Sequence, residues 1–308
     1  MPKFLSSLVL LAVACLFAAP VQAQPIRTFV ALTGNDANPC TFASPCKSAQ
    51  HAHDVVAAGG EVRMLDPGSY GLLTITKAIS ILGDGHGGIA AQSGNTAITI
   101  NAGPNDKINL RGLVIEGFGT GSIAIRFNSG LLLNVQDSII RNFSFVGLSF
   151  VPAAASELYV SRTLISDTSG AGAAVQVAPL VSGAASVTLD HVRLEHGDNL
   201  GANADAGGGP VQLMIADSVV TGFLGAAISG HSNSGQAQVM VRNNTIYNNG
   251  TGVISISAAT VVRVTKSTIT GNAVGFAAST GQIVSFGDNS IAGNAAGNGP
   301  PTSTIALQ

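Results

Sequence analysis

The chain has 308 residues, with 14 Lys and Arg against 16 Asp and Glu and a net charge of −2. Charged residues make up 10% of it, far below the roughly 25% of an ordinary domain. No Lys/Arg run exists to release counterions from a phosphate backbone. That excludes a nucleic-acid partner, and 46% apolar content excludes a disordered chain.

Residues 1–23 read as a signal peptide. Lys3 gives a positive start, Leu5 to Pro20 is almost wholly apolar, and Val21-Gln22-Ala23 supplies the small residues a signal peptidase reads. A lipoprotein anchored through Cys15 is the competing reading, disfavoured because the apolar run continues past that residue. No later segment approaches the 18 apolar residues of a membrane span. The expected location is secreted, periplasmic or at the cell surface. Two cysteines remain after cleavage, Cys40 and Cys46, and in an oxidising compartment a disulfide between them is the default.

Residues 24–308 are expected to form one domain. Thr28–Leu32 predicts a strand and Gly34–Pro39 a turn. Apolar residues at Ala49, Ala52, Val55 and Val56 predict a helix over 47–58, ended by Gly59-Gly60. His51 and His53 lie on it at i, i+2, a spacing that does not put them on one face. Strands are then predicted at Val62–Leu65, Leu72–Ile75 and Ile79–Leu82, with glycine-rich turns between.

From residue 97 to 295 a repeat takes over. Its central apolar residue recurs at Ile115, Ile140, Ile165, Leu194, Val220, Ile246, Ile269 and Ile291. The intervals are 25, 25, 29, 26, 26, 23 and 22 residues. Two more short apolar runs fall inside each period. Three short strands per turn, without helices, predict a parallel β-helix of about eight repeat coils. A leucine-rich repeat has one strand per period, and a propeller blade needs ~40 residues or more.

Two columns follow from this alignment. The aligned column is an aliphatic ladder inside the tube. The column two residues earlier is Leu113, Ser138, Thr163, Val192, Ser218, Asn244, Ser267 and Asn289; if inward, its polar groups must find partners. Asn249, Asn272 and Asn294 are expected in tight turns where Asn tolerates positive φ. Open tube ends are strand edges that need caps. The helix suits the N-terminal end. Asn298-Gly299-Pro300-Pro301 and a last strand over 302–307 suit the other.

Several segments together resemble the right-handed parallel β-helix proteins of the pectin-lyase-like superfamily, and closest an exported bacterial group without established function. They are Phe29-Val30…Gly34-Asn35-Asp36-Ala37-Asn38-Pro39-Cys40…Pro45-Cys46-Lys47, Gly60-Glu61-Val62…Asp66-Pro67-Gly68-Ser69-Tyr70-Gly71, Ile75–Ile81 and Leu110–Gly117. The resemblance implies an all-β, single-stranded right-handed β-helix with an N-terminal capping helix. Enzymes and non-enzymes share that solenoid.

The motifs of the superfamily's enzymes are mostly missing. Gly85-His86-Gly87 has only Asp84 beside it, and no Asp-Asp pair exists for acid and base roles. Leu189-Asp190-His191 is similar in form to a lyase segment but lacks its flanking residues. One polar region stands out, Asp190, His191, Arg193, Glu195, His196, Asp198, Asn199, Asn203 and Asp205. It reads as a longer loop. Asp190, His191, Arg193 and His196 are the candidate catalytic groups, with His196 as a base. Asp198, Asn199 and Asp205 are candidate Ca²⁺ or ligand contacts. The plainer reading is a solvated turn.

A second candidate is the column Asp137, Arg162, His191, Asp217, Asn243, Lys266 and Asp288, either a carbohydrate face or a solvated salt-linked ladder. Tyr159 and Tyr247 are its candidate sugar platforms. Two function classes follow. The preferred one is a non-enzymatic surface or secreted module that presents a long face to a polysaccharide, cell-surface glycan or partner. The other is a lyase-like enzyme on acidic polysaccharide, with its site near residues 190–205. No cofactor is expected beyond Ca²⁺.

Overall fold

The structure, a computed structural model, describes residues 24–306. The signal peptide expected over residues 1–23, with Cys15, lies outside the described residues. Among the described residues no helix is long and apolar enough to cross a membrane.

The chain is a right-handed parallel β-helix with three sheets. Sheet A has twelve strands, from Arg27–Val30 to Ser303–Thr304. Sheet B has ten, from Gly68–Ser69 to Ser290–Ile291, and sheet C nine, from Leu73–Ile75 to Val274–Ala278. Each coil runs A, B, C and returns to A. Every inter-strand register is parallel, and the right-handed coil is the hand that parallel crossovers favour.

The aliphatic spine forms the register read from the sequence. Ile115 pairs with Ile140, Ile140 with Ile165, and Ile165 with Leu194. Leu194 pairs with Val220, and the series continues to Ile291. It also extends upstream, because Ile89 pairs with Ile115. The first full turn through sheets A, B and C therefore begins at Gly60 rather than at 97. The glycines at 83–88 hide the earlier turns, because Gly87 and Gly88 are themselves the first residues of a sheet B strand.

The A-to-B corner is one residue in the left-handed region followed by one inward residue. Asp137, Arg162, His191, Asp217, Asn243 and Lys266 hold φ between 45° and 53° there. The next residue in each case points into the tube. Except at Val192, its side chain accepts the backbone N–H of the same position one coil earlier. Ser138 Oγ accepts from Leu113 N–H (3.1 Å), Ser218 Oγ from Val192 N–H (3.0 Å), and Asn244 Oδ1 from Ser218 N–H (2.9 Å). Ser267 Oγ accepts from Asn244 N–H (3.2 Å) and Asn289 Oδ1 from Ser267 N–H (2.9 Å). The hydroxyls also donate to the carbonyl two residues back. An otherwise orphaned corner N–H is satisfied from inside the core.

A second inner ladder runs along the B-to-C corner. Asn249, Asn272 and Asn294 are buried. Asn272 Oδ1 accepts from Asn249 N–H (3.0 Å) and Nδ2 (2.9 Å), and Asn294 Oδ1 does the same for Asn272. These asparagines do not take the positive φ expected of them. It falls on the residue before each, Asn248, Gly271 and Gly293. The turn is made one position earlier, which frees the asparagine to face the core.

Sheet C opens with a column of small residues that also points inward: Ala124, Gly147, Ala174, Gly201, Ala227, Gly252 and Gly275. A Cβ on Gly201 would lie 2.4 Å from Ala227 O and 2.8 Å from Val220 Cγ1. The chain turns here so close to the spine of sheet B that only Gly or Ala fits.

Both ends are covered. Cys40 and Cys46 form a disulfide, and their loop bonds the free edge of the first strand. Phe29 N–H donates to Cys40 O (2.9 Å), Cys46 N–H to Phe29 O (3.0 Å) and Ala31 N–H to Cys46 O (3.0 Å). Helix α1, Ala49–Val55, is shorter than the expected 47–58. Asp36 accepts the N–H groups of Lys47 and Ser48, which keeps them outside the helix. Ser48 is the N-cap. At the far end Val56 turns extended while Ala57 N–H bonds Pro25 O. At the C-terminal end Phe276 N–H donates to Asn298 O (2.8 Å), and Ser303–Thr304 pairs with Val284–Ser285.

Candidate functional site

The polar region 190–205 is not a loop. It forms strands Arg193–Gly197 of sheet B and Leu200–Asp205 of sheet C, joined by the two-residue corner Asp198-Asn199. The alternation that would mark the second strand is concealed by its small inward residues, Gly201, Ala202 and Ala204. The extra length of the 29-residue coil lies earlier, in the corner 178–183, where Leu180 and Val181 are exposed.

Winding disperses the candidates around the tube. Asp190, His191 and Arg193 sit at the A-to-B corner. His196, Asp198 and Asn199 sit at the other edge of sheet B. Asp205 ends a strand of sheet C. Tyr247 projects from sheet B and Tyr159 from sheet A, so the two tyrosines share no platform.

At the A-to-B corner the structure does bring groups together. A groove of ≈ 490 Å³ is lined by Asp137, Arg162, His191 and Arg193. Its charges, however, are paired. Asp137 bonds Arg162 Nε (2.6 Å) and Arg111 Nε (3.1 Å). His191 Nδ1 lies 3.0 Å from Asp190, and Arg193 bonds Glu195. The Arg162 guanidinium, with Arg111 beside it, holds the Asp137 carboxyl below its usual range despite some burial. Asp217 and Arg242 extend the series at 2.9 Å. This ridge is a salt-linked ladder that compensates its own charge.

The other candidates are also engaged. Gly170 N–H donates to Asp198 Oδ2 (2.9 Å), and Asn199 Nδ2 donates to Ala171 O (2.6 Å). Both side chains tie their corner to the preceding coil. Asp198 and Asp205 lie at opposite ends of a six-residue strand, about 20 Å long, so they are not ligands of one ion. Among the described residues, one set of three His, Cys, Asp or Glu donors lies close enough to share a metal: Cys40, Cys46 and His51. Its cysteines are oxidised to the disulfide.

The outer face of sheet C is different. Its outward column Ser149, Gln176, Asn203 and Ser229 crosses four successive strands in register. Asn203 Nδ2 donates to Gln176 Oε1 (3.0 Å). Ser149, Asn203 and Ser229 are 5%, 9% and 2% exposed despite facing outward. Asn203 Oδ1 finds no donor in the protein. The next outward column places Asp205 beside His231, with Oδ1 3.3 Å from Nδ1, and Gly207 N–H also donates to Asp205. Two residues of strand 200–205 and two of strand 226–231 thus form a compact polar quartet, with Gln176 at its side.

Of these, reading the sequence singled out Asp205 and missed Gln176, Ser229 and His231. A signal did exist. Asp205 and His231 are 26 residues apart, and Gln176 lies 27 before Asn203, each about one coil.

No family model and no curated relative matches the chain. Among solved structures it is similar to the pectate lyase Pel9A, at 12% identity over 90% of this chain and 79% of that one, with a TM-score of 0.49. It is also similar to the A-module of mannuronan C-5 epimerase AlgE4 from Azotobacter vinelandii (14%, 81% and 91%, TM-score 0.44). A third is the GH136 lacto-N-biosidase from Eubacterium ramulus (11%, 92% and 67%, TM-score 0.33). At such identities no residue role passes from them to this chain.

Proposed function

We propose that the protein is an exported, non-enzymatic glycan-binding module whose binding face is the outer side of sheet C. The observation that carries this is the row Ser149, Gln176, Asn203 and Ser229, four uncharged polar side chains in register on successive strands. Neighbouring positions of the row are ~4.8 Å apart, comparable to one hexose unit of an extended chain. Amides and hydroxyls both donate and accept, as sugar hydroxyls do. Export is supported by the apolar leader and by a disulfide suited to an oxidising compartment.

The test is a glycan array probed with the mature chain, run beside an absorbance assay for unsaturated sugar products. The expected result is selective retention of glycans without product. Unsaturated product from any uronate polymer would replace this reading with the lyase-like one.

A further inference from the structure

We infer that the glycan held by sheet C is neutral rather than acidic or amino-substituted, an inference that rests on the binding role proposed above. Charge is segregated around the tube. Sheet C and its two flanking corners comprise residues 143–154, 167–183, 196–210, 223–236, 248–259 and 271–281 in successive coils, and these contain no Lys or Arg. They carry Asp167, Asp198 and Asp205, with His196 and His231. The cations of the same coils, Arg141, Arg162, Arg193, Arg242, Arg263 and Lys266, belong to sheets A and B and the corner between them. Arg126, on the outer column of sheet C itself, lies beside Ser149 at the end of the row and three strands away from Asn203 and Asp205.

A uronate chain on this face would set its carboxylates near Asp205 with no cation to neutralise them. An ionised carboxylate only accepts hydrogen bonds, whereas a sugar hydroxyl both donates and accepts, as the amides and hydroxyls of the row do. An amino sugar would find carboxylates at Asp167, Asp198 and Asp205, each already accepting a hydrogen bond within the protein, and none in the row itself. The remaining groups of the row, Ser149, Gln176 and Ser229, are uncharged. A neutral, hydroxyl-rich chain along the tube axis therefore meets each member of the row with a group it can bond.

Affinity electrophoresis and titration calorimetry test this with the mature chain. The probes are neutral glucan, mannan and galactan fragments, galacturonan and alginate fragments, and chitosan fragments. Binding is expected to neutral fragments alone and to persist at high salt, since no ion pair forms. Asn203→Ala is expected to weaken it about threefold to tenfold. Gln176→Ala, at a half-exposed position, reads the same row if Asn203→Ala proves unstable in a melting control. Arg193→Ala is expected to leave binding unchanged. Salt-sensitive binding of galacturonan or alginate, or binding of chitosan, would overturn the neutral-ligand inference and leave the glycan-binding reading standing. Binding to no probe would overturn both.

Discussion

The A-to-B corner and the outer face of sheet C are both polar, and they differ in charge. At the corner, inner hydroxyls and amides close every link of a ladder from Ser218 to Asn289. Outside, Asp137 sits between two guanidinium groups, with closest contacts of 2.6 Å to Arg162 and 3.1 Å to Arg111. On sheet C the row from Ser149 to Ser229 is uncharged and polar. Density of charge in the sequence pointed to the first region, whereas a row of uncharged hydrogen-bonding side chains in register points to the second.

The largest expected effect breaks an inner ladder. Asn272→Ala removes the acceptor for two Asn249 donors and the Nδ2 that reaches Ile246 O. At ~1–3 kcal/mol per buried group left unpaired, urea unfolding should show a loss of about 3 kcal/mol or more. A loss under about 1 kcal/mol would mean that water or a relaxed corner replaces these bonds. Gly201→Ala comes next, at about 1–3 kcal/mol, because its Cβ meets the Ala227 carbonyl at 2.4 Å. A neutral outcome would show that the small column has slack.

The outer salt ladder should matter less. Asp137→Asn is expected to lower the melting temperature at neutral pH by only about 1–2 °C, because exposed pairs contribute little. The folded pKa of Asp137 is depressed below its ordinary 3.8. Its contribution is therefore present above that pH and is lost as pH falls through the folded value. The gap between wild type and variant should close in acid, and a gap that widens there would contradict the pairing. The smallest effect is expected at Asp198 and Asp205. A double alanine variant should melt with the same response to added calcium as the wild type, because the two carboxylates face different corners.

The fold was legible in the sequence because the spine repeats one residue type in one place per coil. The alignment from Ile115 to Ile291 needed no correction, and its extension to Ile89 was hidden only by flanking glycines. The inward course of Ser138, Ser218 and Asn244 was also legible as a column. What stayed hidden follows from geometry that local pattern does not carry. Left-handed φ at Arg162 and Lys266 is not announced by those residue types, which rarely take it. The strand Leu200–Asp205 looked like a loop because its inward positions are Gly and Ala. Linear proximity made 190–205 look like one site, whereas each coil carries such a stretch through two corners. The quartet around Asn203 is built from residues one coil apart, which only the register brings together.

Hydroxyl-radical footprinting of the mature chain, with and without a bound neutral oligosaccharide, tests the central claim most directly. His231 on sheet C, His191 on the A-to-B corner, and Met214 and Met240 on sheet A are all partly accessible reporters. Protection confined to His231 and the segments 173–177, 200–205 and 226–231 is the predicted result. Protection of His191, or of Met214 and Met240, with His231 still oxidised, would place the ligand on another face and contradict the account.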